Sequence, residues 1–164
     1  ENLYQAAIER MVDFVAEGAR QKFAHLPPVD TLSVAETRNV LQSLIEPMID
    51  TLCATPNVLM FARIIMREHL APSPVYDVIY QRFVKKLFEI VTQMIRQILP
   101  EMSEKDAMFR IAWSFGQIIG FRVGREMLMR HVDDFVGYSP EEIASIKALI
   151  LRSIFRELEL EQAS

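Results

Sequence analysis

Apolar residues recur every three or four positions along most of the chain, and Pro or Ser turn signals separate these stretches. This spacing places side chains on one face of an α-helix, and no stretch alternates as a β-strand would. The predicted helices cover approximately residues 2–24, 33–54, 55–69, 73–99, 103–131 and 139–160. The sequence therefore predicts an all-α fold, with one six-helix domain over residues 1–164.

Several predicted helix starts carry capping signals, in which a Ser or Thr side chain accepts a hydrogen bond from a backbone N–H of the first turn. In a capping box, a Glu three residues later returns a bond to the capping residue. Capping boxes are predicted at Ser33 and Ser139, and N-caps followed by Pro are predicted at Thr55 and Ser73. Pro47 lies inside the second predicted helix, and we expect a kink there because proline removes one helical hydrogen bond.

The last predicted helix is apolar over an unusually wide arc. One stripe contains Ile143 and every third or fourth residue to Leu158, and a neighbouring stripe contains Ala144, Ala148 and Leu151. Together they cover roughly 200°, whereas a helix on one core needs roughly 100°. We therefore predict a homodimer in which a second copy covers this helix. The predicted interface residues are Ile143, Ile146, Ile150, Leu151, Ile154, Phe155 and Leu158.

The fifth predicted helix is apolar nearly all round, so we expect it at the centre of the fold. Ala112, Gly116, Gly120 and Gly124 recur along it at intervals of four residues. Each Gly inside a helix costs up to about 1 kcal/mol relative to Ala, so some interaction must offset the cost. Close crossing with another helix and space for a ligand are both open explanations.

Two charged residues fall in apolar sectors of their helices, Glu68 on the third and Arg122 on the fifth. An unpaired buried charge costs several kcal/mol, so we predict a Glu68–Arg122 ion pair across the core. The pair is either purely structural or a polar anchor beside a ligand cavity. Arg63 and Arg67 share one face and either bind an anionic ligand or form a solvated edge. The candidate ligand-binding residues are Phe61, Arg63, Arg67, Glu68, Trp113, Gln117 and Arg122.

Composition excludes several classes of protein. A chain that is 51% apolar with five Gly is neither disordered nor collagen-like. Its net charge of −4 disfavours direct nucleic-acid binding by these residues, and Cys53 is the sole cysteine, which excludes a disulfide framework. The three His residues lie in different segments, and no nucleotide-binding or nucleophile motif is present. We therefore predict no enzyme activity, no metal and no cofactor.

Two segments, residues 67–74 (REHLAPSP) and 116–126 (GQIIGFRVGRE), carry a resemblance to a known family. The chain resembles the ligand-binding and dimerisation part of TetR-family transcriptional regulators, most closely the CecR-like branch. The resemblance implies that the last two helices of each subunit form a dimeric four-helix bundle. It also implies a cytoplasmic repressor with a pocket for an unknown small-molecule effector among the earlier helices and the fifth, and no membrane contact.

The first residues, ENLYQAA, resemble the family segment that follows the helix-turn-helix headpiece. They also resemble a protease-tag remnant, but the apolar spacing that starts at Leu3 favours native sequence. We therefore expect that the headpiece is missing from this chain and that operator DNA is bound only through it. Two alternatives are a stand-alone helical carrier of apolar small molecules and a helical-bundle enzyme.

Overall fold

The computed structural model describes residues 2–54 and 59–162. Its helices are α1 (Asn2–Ala24), α2 (Val34–Ala54), α3 (Leu59–Leu70), α4 (Pro74–Ile79), α5 (Lys85–Ile98), α6 (Glu104–His131) and α7 (Pro140–Gln162). A π-helical segment (Tyr80–Val84) joins α4 to α5 without a break, so these three elements form the fourth predicted helix. The described residues contain no β-strand. The prediction of an all-α fold with six helices is confirmed.

Both predicted capping boxes are formed. The Ser33 N–H donates to Glu36 Oε2 at 2.8 Å, and the Glu36 N–H donates to Ser33 Oγ at 3.2 Å. The Ser139 N–H donates to Glu142 Oε2 at 2.6 Å, and the Glu142 N–H returns a bond to Ser139 Oγ at 3.2 Å. Hydrogen bonds from the side chain and the backbone of Ser33 lower the pKa of Glu36. These bonds fix where α2 and α7 begin.

The other predicted helix signals have different outcomes. Ser73 caps α4, because its Oγ accepts a hydrogen bond from the Val75 N–H at 3.2 Å. The predicted cap at Thr55 lies outside the described residues. Pro47 lies inside α2, which remains a continuous helix from Val34 to Ala54.

The core has a main cluster and a smaller one. The main cluster joins α2, α5, α6 and α7 through buried side chains that include Leu41, Ile49, Met94, Ile98, Ala107 and Ile150. The smaller cluster joins α1 to the α4–α5 helix through Ile8, Val12, Val75, Ile79 and Val84. The α5 part of this long helix therefore belongs to the main bundle, whereas its α4 and π-helical parts pack against α1.

Helix α7 packs with its isoleucine stripe inside its own protomer. Five of the predicted interface residues are at most 8% exposed in the single chain, namely Ile143, Ile146, Ile150, Ile154 and Leu158. Leu151 and Phe155 are half-buried and pack against the same core. Residues of the same protomer thus cover this side of α7. The prediction that these five residues lie in an interface between two copies is corrected accordingly. The accessible face of α7 instead presents Ala144, Ala148 and Leu149.

Helix α6 is packed on one side only. Ala107, Ile111 and Ile118 are buried, whereas the opposite face is uncovered. We call this uncovered side the exposed α6 face; it consists of Phe109, Ala112, Trp113, Gly116, Gly120, Val123 and Met127. No heavy atom lies within 4 Å of where a Cβ would stand at Gly116, Gly120 or Gly124. Neither a close crossing nor a ligand space within the described protomer therefore explains these glycines, and α6 is not surrounded as predicted.

None of the helices in the described ranges combines the length and the apolarity that crossing a membrane requires.

Candidate functional site

A cavity of about 680 Å³ lies between α1, α2, α5 and α6. This volume is within the range of small-molecule sites in proteins. The walls are mainly apolar and include Leu44, Ile45, Met48 and Leu52 of α2, Leu87, Phe88 and Val91 of α5, and Ile111, Phe115 and Ile118 of α6. Apolar residues on facing helices normally pack against one another and leave no large space. The space between these helices is therefore available to a ligand.

Few polar groups line the interior of the cavity. His69 of α3 reaches it, with its ring 5.3 Å from the Tyr76 ring and 6.0 Å from the Phe115 ring. Ser114 of α6 also lines the cavity and is half-buried. Exposed residues such as Glu17 lie at its edge. Apolar walls with a few separated polar groups are typical of sites that bind and orient small organic molecules.

Pro47 contributes a further polar group to the cavity wall. Proline has no N–H, so the carbonyl of Ser43, four residues earlier, lacks its usual helical donor. Both residues line the cavity. The Ser43 hydroxyl is already engaged, since it donates to the Val40 carbonyl at 2.7 Å. Pro47 thus leaves the Ser43 carbonyl without its helical N–H donor at two residues that line the cavity.

Glu68 is 1% exposed and fastens the corner between α3 and α4. Its Oε2 accepts hydrogen bonds from the Ser73 N–H at 3.0 Å and from the Ser73 hydroxyl at 2.7 Å. Its Oε1 has no hydrogen-bond partner among the described residues. The predicted Glu68–Arg122 ion pair is wrong. Ser73 is only five residues away and supplies two donors, so the carboxylate is held locally and does not reach across the core.

Arg122 is half-buried and makes no hydrogen bond or ion pair within residues 2–54 and 59–162. Burial lowers its pKa, and the positive charges of Arg125 and Arg63 lower it further. Burial raises the pKa of the nearby Cys53 thiol. The positive charge of Arg122 lowers that pKa by a smaller amount, so it remains above its ordinary value. The guanidinium of Arg122 therefore lies near two other positive charges and is not paired with a carboxylate among the described residues.

The connection between α6 and α7 is tied to α6 near this arginine. The Tyr138 hydroxyl donates to the Phe121 carbonyl at 2.6 Å, and burial raises the pKa of Tyr138. Arg125 Nη2 donates to the Val136 carbonyl at 3.1 Å. Gly137 has φ of 148°, and a Cβ there would lie 3.0 Å from Arg125 Nη2. Only glycine suits that backbone conformation, so the loop and the arginine are held in one arrangement.

The structure separates the remaining predicted site residues. The side chain of Phe61 lies outside the described residues. Arg63 and Arg67 are exposed. Trp113 is 46% exposed and lies at the edge of the exposed α6 face, where it also lines the cavity. Gln117 is half-buried, and its Nε2 has no hydrogen-bond partner among the described residues. Of the seven candidates, Trp113 is therefore the residue that the described structure places on the cavity wall.

The cavity residues that the sequence analysis missed come mainly from α2 and α5. Their apolar spacing indicates burial but does not distinguish a filled core from a cavity wall. Two signals were available: the proline inside α2, and His69 within the segment 67–74 that carries the family resemblance.

The described residues offer no metal site, since no three His, Cys, Asp or Glu side chains in ranges 2–54 and 59–162 converge.

Comparison with known proteins gives one match. A family model described as the C-terminal domain of the HTH-type transcriptional dual regulator CecR matches residues 37–159, three-quarters of the chain. No curated protein sequence matches the chain.

Proposed function

Since the chain belongs to the CecR C-terminal-domain family, a family of TetR-type regulator domains rather than of enzymes, we propose that it is the effector-sensing and dimerising body of a transcriptional regulator. The observation that carries the proposal is the apolar cavity of about 680 Å³ between α1, α2, α5 and α6. In this proposal residues 1–164 form one domain, and operator DNA is contacted by a helix-turn-helix headpiece and not by these residues.

The cavity suits an effector that changes the arrangement of helices. A ligand in it contacts α1 through residues such as Gly18 and Gln21, and contacts α2, α5 and α6 through apolar walls. A ligand shifts a conformational equilibrium only if it binds one arrangement more tightly than another. In the resemblance described above, α1 follows the headpiece. A change in the position of α1 is therefore the proposed route from effector to operator affinity.

The exposed α6 face supports dimerisation. It runs from Phe109 to Met127, about 27 Å at 1.5 Å per residue, and contains no charged residue. Val123 is 63% and Phe109 is 62% exposed in the single chain. A continuous apolar face of this length is typical of an interface, and its glycines permit close approach of a helix. We propose a homodimer in which α6 and α7 of each protomer form a four-helix bundle.

The regulatory sign of the protein follows from neither the cavity nor the exposed α6 face. The matched family model is named after a dual regulator. The proposal therefore covers both repression and activation of transcription. That the protein acts as a repressor remains a prediction.

Native mass spectrometry of the purified chain tests both parts of the proposal. We expect twice 18.9 kDa and an additional small-molecule mass. Ser114→Phe places a large side chain in the cavity and should abolish the additional mass. Ala35→Phe is the matched control, because Ala35 is exposed and away from the cavity. A chain that retains no small molecule, and whose Tm no compound from an apolar library raises, would contradict the sensing role.

A further inference from the structure

A group of arginines lies next to residues that line the cavity. The cavity lining includes Leu52 of α2, Met66 of α3 and Ile119 of α6. Arg63 lies one turn before Met66, and Arg122 lies one turn after Ile119. One helical turn is about 5.4 Å along the axis, which an arginine side chain spans. The apolar lining therefore gives way to guanidinium groups within one turn on two of the three helices.

Arg122 is at the centre of this group. It is half-buried, and no acceptor among the described residues bonds to it. The charges of Arg125 and Arg63 both act on it and lower its pKa, after the larger effect of burial. Its partial burial and its like-charged neighbours both disfavour the charged guanidinium. An anion bound at this position would offset both effects, because an opposite charge favours the charged guanidinium.

The acidic residues nearby do not neutralise the group. Asp50 of α2 is bound to Lys147 of α7, with an Nζ–Oδ1 distance of 2.6 Å. Glu126 lies 3.7 Å from Arg125, and its side chain is 74% exposed. Among the described residues, the guanidinium and carboxylate charges that act on Arg122 are those of two arginines, Arg125 and Arg63, and one glutamate, Glu126. The local charge is positive although the whole chain carries −4.

We propose that the effector is an amphipathic anion: its apolar body fills the cavity, and its carboxylate or similar oxyanion binds Arg122, with Arg63 and Arg125 contributing positive charge. This inference rests on the proposed function, because it names the ligand class of the same cavity. Arginine suits the role, since its planar guanidinium donates two parallel hydrogen bonds to a carboxylate. A neutral ligand of the same shape would fill the cavity but leave Arg122 without an acceptor.

Calorimetric titration with matched probes tests the ligand class. Decanoate and 1-decanol have the same chain length but differ in charge, and 1-naphthoate and 1-naphthalenemethanol form an aromatic pair. We expect the chain to bind at least one anion about tenfold or more tightly than its neutral counterpart, as a charge-assisted hydrogen bond predicts. In Arg122→Gln the anion should lose this advantage, while binding of the neutral probe should change less than about twofold.

Arg96→Gln is the matched control, because it removes one exposed arginine of α5 and leaves the chain with the same net charge as Arg122→Gln. It should bind the anion as the unchanged chain does. Equal losses in the two variants would mean that only net charge matters, which would overturn the site. Anions and neutral probes binding equally well would overturn the ligand class but leave the sensing cavity standing. Binding of none of the four probes would overturn this inference, whereas the sensing role is decided by the retained mass and the compound library described above.

Discussion

Val123→Arg should dissociate the proposed dimer without unfolding the protomer. Val123 belongs to the exposed α6 face, towards its C-terminal end, and is 63% exposed in the single chain. A longer, charged side chain there meets only solvent in the protomer, so the fold should tolerate it. In a four-helix bundle built on this face, the same side chain would enter the interface of both protomers.

The magnitude follows from the exposed fraction of the valine. Burying a valine side chain fully stabilises a complex by about 1.5–3 kcal/mol, so burying the 63% that is exposed contributes about 1–2 kcal/mol per protomer. A two-fold symmetric dimer loses this contribution twice, or about 2–4 kcal/mol. The dissociation constant should therefore rise by about 30-fold to 700-fold. An unpaired buried guanidinium would add to this loss.

Sedimentation or light scattering over a range of concentrations measures the effect. The unchanged chain should give twice 18.9 kDa at tens of micromolar, and Val123→Arg should give a monomer with an unaltered helical circular dichroism spectrum. Leu70→Arg is the matched control, because Leu70 at the end of α3 is 80% exposed and lies off the exposed α6 face. A Val123→Arg chain as dimeric as the control would refute the assignment of this face.

Three further predictions concern the interior of the protomer. Ile150→Ala should lower the free energy of unfolding in urea by about 2–5 kcal/mol, because Ile150 is 1% exposed; a loss below about 1 kcal/mol would contradict its burial. Glu68→Ala should lower the free energy of unfolding by about 2–4 kcal/mol, since two Ser73 donors lose a charged acceptor. Arg122→Ala should lower it by less than about 1 kcal/mol. A larger loss for Arg122→Ala than for Glu68→Ala would support the predicted ion pair instead. Alkylation of Cys53 by iodoacetamide should be slow at pH 7 and become faster only above the ordinary pKa of a thiol, because burial raises the pKa of Cys53. Arg122→Ala should raise that pKa further, because the Arg122 charge lowers it in the unchanged chain. Rapid labelling at pH 7 would contradict both effects.

The helices and their starts were predictable because their causes are local. A capping box such as Ser33 with Glu36 needs four consecutive residues, and its two hydrogen bonds form wherever the chain is placed. The same is true of Ser73 at the start of α4. The π-helical segment Tyr80–Val84 carries no capping signal, and its trace in the sequence is a single change of spacing, since the buried Val75, Ile79 and Val84 are four and then five residues apart.

The orientation of α7 was not predictable from its own residues. Both of its stripes are apolar, so periodicity shows that the helix is covered on two sides but not which neighbour covers each side. The structure gives the isoleucine stripe around Ile150 to the protomer's own core. The smaller residues Ala144 and Ala148 remain accessible. The distinction depends on how α2 and α6 are placed, which is a tertiary property.

The Glu68–Arg122 prediction failed because helical angles measure direction and not distance. Each residue points into an apolar sector, but a carboxylate accepts the nearest available donors, and Ser73 offers two within five residues. The same reasoning overlooked the cavity, because a residue such as Phe88 has identical spacing whether it faces a side chain or a space. Sequence patterns identified the helices, and the arrangement of helices determined the site.

Helix α6 connects the two proposed activities of the domain. Ile111, Phe115 and Ile118 line the cavity from one side of this helix, and Gly116 and Val123 belong to the exposed α6 face on the other. If both proposals hold, one helix touches the effector and the second protomer at the same level. Because a helix moves largely as a rigid body, a displacement at the cavity is then also a displacement at the dimer interface. Glycines on the interface side reduce the number of side chains that must repack, so such a movement costs less than it would across interlocked residues.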